Sequence, residues 1–321
     1  MLKTFLTEAW GLRYPLIGAP MAGVAFGALA NAVSRAGALG MIGIGSSDPT
    51  DKIEREASIA RDGEMRFGIG LMAWALPQRD ELLEAAIAAQ PFVISMTGGS
   101  IAPYAARVRE AGILLAAQVN TGADAREAEA AGADFIVAQG TEAGGHTGDV
   151  ATLTLLQLVL AAVRVPVVAA GGIASARGLA AVLAAGAQGA WIGTPLLAAH
   201  EAGTPPAARA RIIAAKEDET VLTRVFDRTL GIKWPARYPG RALVNRFTQE
   251  WHGREDEAAT NATTVSTLKS ATAAKDFNLT YIYAGQSVGL IERERPAAEI
   301  VAEIGDGAER ILRERLDSVL E

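Results

Sequence analysis

A chain of 321 residues, half of them apolar, has enough hydrophobic mass for a large core and suits either two average domains or one α/β barrel. It contains no cysteine, which excludes disulfides, thiolate metal sites and a cysteine nucleophile, and its three histidines, His146, His200 and His252, are too scattered for a His-rich metal centre. A formal net charge of −6, well mixed and without a basic block, argues against nucleic acid as a partner.

Met1 to Pro15 carries Glu8 and Arg13 and no continuous apolar region, so it does not read as a secretory signal. The most apolar stretch, Leu153 to Val168, is broken by Gln157, Arg164 and Pro166 and falls short of the roughly 20 residues that a membrane helix needs. The expectation is a cytoplasmic protein with no membrane partner.

From Pro15 onward, short apolar runs alternate with alanine-rich amphipathic segments. The runs are Leu16–Gly18, Leu39–Ile44, Arg66–Leu71, Phe92–Met96, Ile113–Val119, Phe135–Gln139, Val165–Ala170 and Gly189–Ile192. Starts roughly 21 to 30 residues apart suit a strand, a helix and two short loops, and eight such units close an α/β fold of the (β/α)8 TIM barrel type. Ala36-Gly37, Ala111-Gly112, Ala131-Gly132 and Ala185-Gly186 each end a helical pattern, where glycine supplies the left-handed conformation that stops a helix. Gly43-Ile44-Gly45 and Gly68-Ile69-Gly70 lack the third glycine of a dinucleotide fingerprint, so a doubly wound sheet fits less well. Ser47-Asp48-Pro49, followed by Asp51, Glu54 and Glu56, reads as a helix N-cap with acids favouring the dipole and not as a metal site.

The rhythm breaks near His200. Gly203-Thr204-Pro205-Pro206 opens a charged segment with two helical stretches, Pro206–Lys216 and Thr263–Ala274, around an irregular middle holding Trp234, Tyr238 and Trp251. These aromatics read as a small core of their own. Leu279–Tyr283 then reads as a strand running into Ala284-Gly285-Gln286-Ser287, and Pro296–Leu320 as a helix. The expected organisation is a barrel formed by 1–200 plus 276–321, with a smaller covering or substrate domain, 201–275, inserted. The alanine-rich helices suit a homodimer face as readily as packing on their own barrel.

Barrel chemistry sits at the C-terminal ends of the strands, so the residues that follow each run belong together. Ala19, Pro20 and Met21, after the first run, offer a surface for a planar ring. Gln118 and Gln139, at the fifth and sixth, supply two amides for a heterocycle edge. Gly171-Gly172 and Gly193-Thr194, after the seventh and eighth, form the phosphate cradle usual in this fold, in which backbone N–H groups meet the anion without Lys or Arg. Together these features describe flavin mononucleotide, FMN. The sixth run continues into Gln139-Gly140-Thr141-Glu142-Ala143-Gly144-Gly145-His146-Thr147-Gly148, where Gly144 and Gly145 let the backbone pass close to a ligand and hold His146 at the strand mouth.

These residues resemble the nitronate monooxygenase (2-nitropropane dioxygenase) family over nearly the whole chain. Ala19-Pro20-Met21-Ala22-Gly23-Val24 matches the family's first motif, and Glu142 to Gly148 its histidine motif. Ala170-Gly171-Gly172-Ile173 and Gly193-Thr194 match its phosphate loops, and Ala284-Gly285-Gln286-Ser287 its closing segment. Where relatives often place an Asn or Thr after the third strand, this chain has Gly70-Leu71-Met72. The resemblance implies an FMN enzyme that oxidises alkyl nitronates, such as propionate 3-nitronate, with O2 to a carbonyl compound and nitrite by a one-electron flavosemiquinone route. It implies His146 as the catalytic residue, Gly285 and Gln286 beside the cofactor, and Met21 beside the substrate. Tyr281 and Tyr283 alternate before the closing segment, so one of them faces the pocket as a substrate residue unless both form an aromatic core pair. Asp149 is the acid expected to act on His146. Related barrels carrying the same Gly-Gly-His element are NAD(P)H-dependent reductases of quinones or enoyl thioesters, which is the alternative activity; a flavin-binding barrel without enzyme activity is a third reading.

Overall fold

The structure, a computed structural model, describes the backbone of residues 2–320 and side chains as far as Arg315. Eight parallel strands carry the fold: β1 (Leu16–Gly18), β2 (Gly40–Gly43), β3 (Phe67–Met72), β4 (Val93–Thr97), β5 (Leu114–Val119), β6 (Phe135–Gln139), β8 (Val167–Ala170) and β9 (Ala190–Ile192). They lie in the order β1-β9-β8-β6-β5-β4-β3-β2, and a parallel bridge between Ile17 and Leu39 joins the two edges. This is the (β/α)8 barrel expected from the spacing. Between β6 and β8, the two-residue strand β7 (Gly145–His146) leaves the barrel. It pairs antiparallel with β11 (Gly240–Leu243), which in turn pairs with β10 (Thr220–Thr223).

Period-two alternation sorts the side chains. On β6, Ile136 and Ala138 point outward to the helices, whereas Phe135 and Val137 point inward, and the same parity turns Gln139 into the barrel mouth. On β5, Leu115, Ala117 and Val119 face the helices, which leaves Gln118 facing inward. The far end is closed by the chain's own start. Thr4 caps the short helix Phe5–Glu8, Leu6 is fully buried, and Trp10 packs edge-on against Phe5, Phe92 and Phe135 at 5.6, 5.2 and 5.2 Å. Asp48 does not cap the helix Thr50–Arg61. Pro49 occupies the cap position, and the Asp48 carboxylate accepts from the Gly45 N–H and from Lys52, both at 2.7 Å.

Seven helices, beginning with Gly27–Arg35 and ending with Ala176–Ala184, follow the first seven barrel strands. β9 runs instead into a 3-10 turn, Thr194–Ala198, and the helix that fills the remaining gap comes from the end of the chain. Ala297–Leu320 packs against both Ala176–Ala184 and Gly27–Arg35 through Ala297, Ile300, Val301, Ile304 and Ala308, a stripe at helical spacing. Tyr14 sits against Gly305 and donates to Asp306 at 3.0 Å. Despite its length this helix is amphipathic, and among the described residues no helix is long and apolar enough to cross a membrane.

The intervening segment has two apolar clusters. Val225, Phe226, Phe247, Ala258 and Leu268 form one; Ala208, Ile212 and Leu243 join Leu197, Ile282 and Val288 in the other. The expected strand Leu279–Tyr283 does not form. Asp276 draws Asn278, Leu279 and Thr280 into a turn by accepting their N–H groups, and Asn245 takes the Thr280 carbonyl. Only Ile282 and Tyr283 reach the edge of β11, through one backbone hydrogen bond and one antiparallel bridge to Ala242.

Candidate active site

The loop after β6 is folded by its own polar groups. The Gly140 N–H donates to the Ala170 carbonyl and the Ala143 N–H to that of Gly140, while Thr147 Oγ1 returns to the Gly140 carbonyl. Glu142 turns away and caps the helix Thr152–Ala162, accepting from both the N–H and the hydroxyl of Thr152 at 2.8 Å. Gly145, at φ +76°, then redirects the chain into β7, placing His146 opposite Gly240.

His146 meets groups from the intervening segment. Its Nε2 lies 2.8 Å from Asp227 Oδ2, with the two side chains only 7% and 5% exposed. A carboxylate only accepts, so this contact assigns the proton to Nε2 and makes Nδ1 the atom free to meet a ligand. The Trp234 indole stacks on the imidazole at 3.8 Å and 8°, and Tyr283 flanks it at 5.3 Å and 57°. Gly240 is needed here, because a Cβ on it would lie 2.8 Å from the Tyr283 ring and 3.4 Å from Nε2. Burial and the charge of Asp227 hold the Tyr283 hydroxyl well above its ordinary pKa, so it remains a neutral phenol.

The other expected residues surround the same mouth. Gln118 Nε2 donates to Thr97 at 2.7 Å and to Gln139 Oε1 at 3.0 Å, and Asn120 holds the Gln139 carbonyl at 2.7 Å. The first motif crosses the opposite rim. A Cβ on Gly70 would lie 2.3 Å from the Pro20 ring, and one on Gly43 would lie 2.4 Å from the Met21 carbonyl carbon. Gly43 and Gly70, one glycine from each truncated G-x-G element, are thus clearances for this loop, and Pro20 fills the space that a side chain on Gly70 would need. Gly193 adjoins Ala19 and Met21, with its virtual Cβ 3.3 Å from Ala19 Cβ and 3.5 Å from Met21 Sδ.

Gly171 and Gly172 take φ values of +100° and +70°, a region costly to other residues. Thr194 Oγ1 accepts the Gly285 N–H at 3.0 Å, and the Gln286 N–H donates to the Glu142 carbonyl at 2.9 Å. Those contacts bring the closing segment onto the histidine loop so tightly that a Cβ on Gly144 would lie 2.6 Å from the Ala284 backbone. Among the described residues, no protein group accepts the N–H of Gly172 or Gly193. Two backbone amides left without a protein acceptor fit an anion.

Some expectations change. Asp149 is exposed, and the acid on His146 is Asp227. Trp234 does not belong to the cluster around Phe226; it lies on the histidine, 5.4 Å from Trp74, whose buried Nε1 has no partner. Of the two tyrosines, Tyr283 reaches His146, whereas Tyr281 backs it at 4.8 Å and meets Phe226. Asp227 and Trp234 carried no sequence signal beyond being an acid and an indole within a charged, irregular segment.

A family model described as nitronate monooxygenase matches residues 72–307. A nitronate monooxygenase from Paraburkholderia phytofirmans is 30% identical across 99% of this chain and 97% of its own. Among solved structures, FabK from Thermotoga maritima superposes with a TM-score of 0.88 at 29% identity, over 99% of this chain and 100% of that one. Nitroalkane oxidase from Streptomyces ansochromogenes follows at 0.81 and 32%, over 97% and 99%. The family match spans most of the barrel and the whole histidine loop, so the chain belongs to the nitronate monooxygenase family of flavin-dependent oxidoreductases.

Proposed function

We propose that the protein binds FMN and oxidises small alkyl nitronates, such as propionate 3-nitronate, with O2 to a carbonyl compound and nitrite. The observation that carries this reading is the convergence of the glycine rim and the Asp227-bound His146 on one barrel mouth. Gly171, Gly172, Gly193 and Thr194 would hold the phosphate through backbone N–H groups. Ala19, Pro20 and Met21 would back the ring, the amides of Gln118 and Gln139 would meet its polar edge, and Gly144, Gly145, Gly285 and Gln286 would close around it. Bound there, FMN supplies the redox centre between the substrate and O2.

The chain's own residues orient the substrate. Asp227 fixes the imidazole and balances positive charge on it. Doubly protonated, His146 donates from Nδ1 to a nitronate oxygen; neutral, it presents a lone pair there that can take a proton from the α-carbon of an uncharged nitroalkane. Tyr283 and Trp234 keep water from the ring, which strengthens either contact.

The likeness in fold to FabK favours one alternative, an NAD(P)H-dependent reductase of quinones or enoyl thioesters. The deciding experiment mixes the flavin-loaded protein anaerobically with propionate 3-nitronate and, separately, with NADH. Loss of the oxidised-flavin band with nitronate alone supports the oxidase reading. Loss with NADH alone, the nitronate sample staying oxidised, removes it in favour of the reductase.

A further inference from the structure

We infer that Trp234 is a specificity-determining residue: its indole is a fixed wall on His146 that admits substrates compact at the reacting carbon and excludes bulky ones. This rests on the reading that His146 meets the substrate. The imidazole has four sides to account for. Trp234 covers one face at van der Waals distance, Tyr283 flanks the ring, and Asp227 occupies Nε2. A substrate therefore approaches edge-on at Nδ1, past the rim of the indole.

The wall is held in place. Gly98 follows β4, and a Cβ on it would lie 2.5 Å from Trp234 Cζ3, so the indole rests on bare backbone. Trp74 and Tyr238 pack against it at 5.4 and 6.4 Å. On its C-terminal side, Arg237 pairs with Asp124 of the barrel helix Gly122–Ala130, and Thr147 donates to the Pro239 carbonyl at 3.1 Å. An exposed tryptophan serving only solubility would need none of this.

Two readings on Trp234→Ala and Trp234→Leu test the assignment, the second variant serving if the first does not fold. One is the ratio of kcat/KM for cyclohexyl nitronate to that for ethyl nitronate, which should rise about tenfold or more once the wall is cut back. The other needs no turnover: diethyl pyrocarbonate labelling of His146, followed by peptide mass spectrometry, with the exposed His200 and His252 as internal standards. Labelling of His146 relative to those two should accelerate by a similar factor. Unchanged labelling overturns the wall, and so does faster labelling with an unchanged substrate ratio. If the wild-type enzyme oxidises no nitronate, the proposed function fails, and the labelling rates alone decide whether Trp234 guards His146.

Discussion

His146 takes its electrostatic partner from 81 residues further along the chain, which explains what could and could not be read from its neighbourhood. The glycines around it were legible as a cluster, since backbone that turns sharply or passes close to another segment calls for glycine whatever the partner: Gly145 needs a positive φ, and Gly144 must let the Ala284 backbone pass. Asp227 was not legible, since nothing between residues 146 and 227 encodes the pairing of β7 with β11 that brings them together. Replacing His146 with Asn should leave flavin content unchanged and lower kcat/KM for nitronate by roughly 10² to 10⁴, the range for a positioned acid–base group. Asp227→Asn keeps the shape but offers an amide able to donate as well as accept, so Nε2 is no longer held as the protonated nitrogen. We expect a loss in kcat/KM of roughly 10²-fold with flavin still bound. Steady-state oxygen uptake normalised to flavin absorbance measures both, and wild-type rates in either variant would remove that residue from the chemistry.

At the scale of elements, the apolar runs located all eight barrel strands to within two residues at either end, some trimmed and two, β3 and β4, extended by one residue. A buried parallel strand announces itself as a continuous apolar run. Leu279–Tyr283 has the same composition, yet Asp276 competes for its first N–H groups and leaves two residues to pair. Gly43 and Gly70 of the G-x-G elements make the complementary point, because they answer to Met21 and Pro20, which lie on another strand's loop. Gly70→Ala tests this clearance: its methyl would overlap the Pro20 ring. The expected cost is about 1 to 3 kcal/mol in denaturant unfolding, together with weaker flavin retention. A variant as stable as wild type that keeps its flavin would mean that the rim loop moves aside freely.

For the molecule as a whole, the two ends of the barrel are separable. Trp10 closes the end remote from His146, against Phe5, Phe92 and Phe135. Its replacement by alanine should cost about 3 to 5 kcal/mol, as for other buried aromatics. Turnover per folded molecule should stay the same, because the catalytic loops rise from the other end. A fall in kcat matching the fall in stability would show the two ends to be coupled. The late arrival of the last outer helix has a consequence for biosynthesis. All eight barrel strands have been made once residue 192 is added, but Asp227, Trp234, Gly285 and the helix from Ala297 are still to come. At about 5 to 20 residues per second, a ribosome needs roughly 6 to 26 s to supply them. The histidine lacks its carboxylate for the first part of that interval and the nascent sheet has an uncovered flank until its end, so the growing chain exposes apolar surface to chaperones before it has any chemistry to perform.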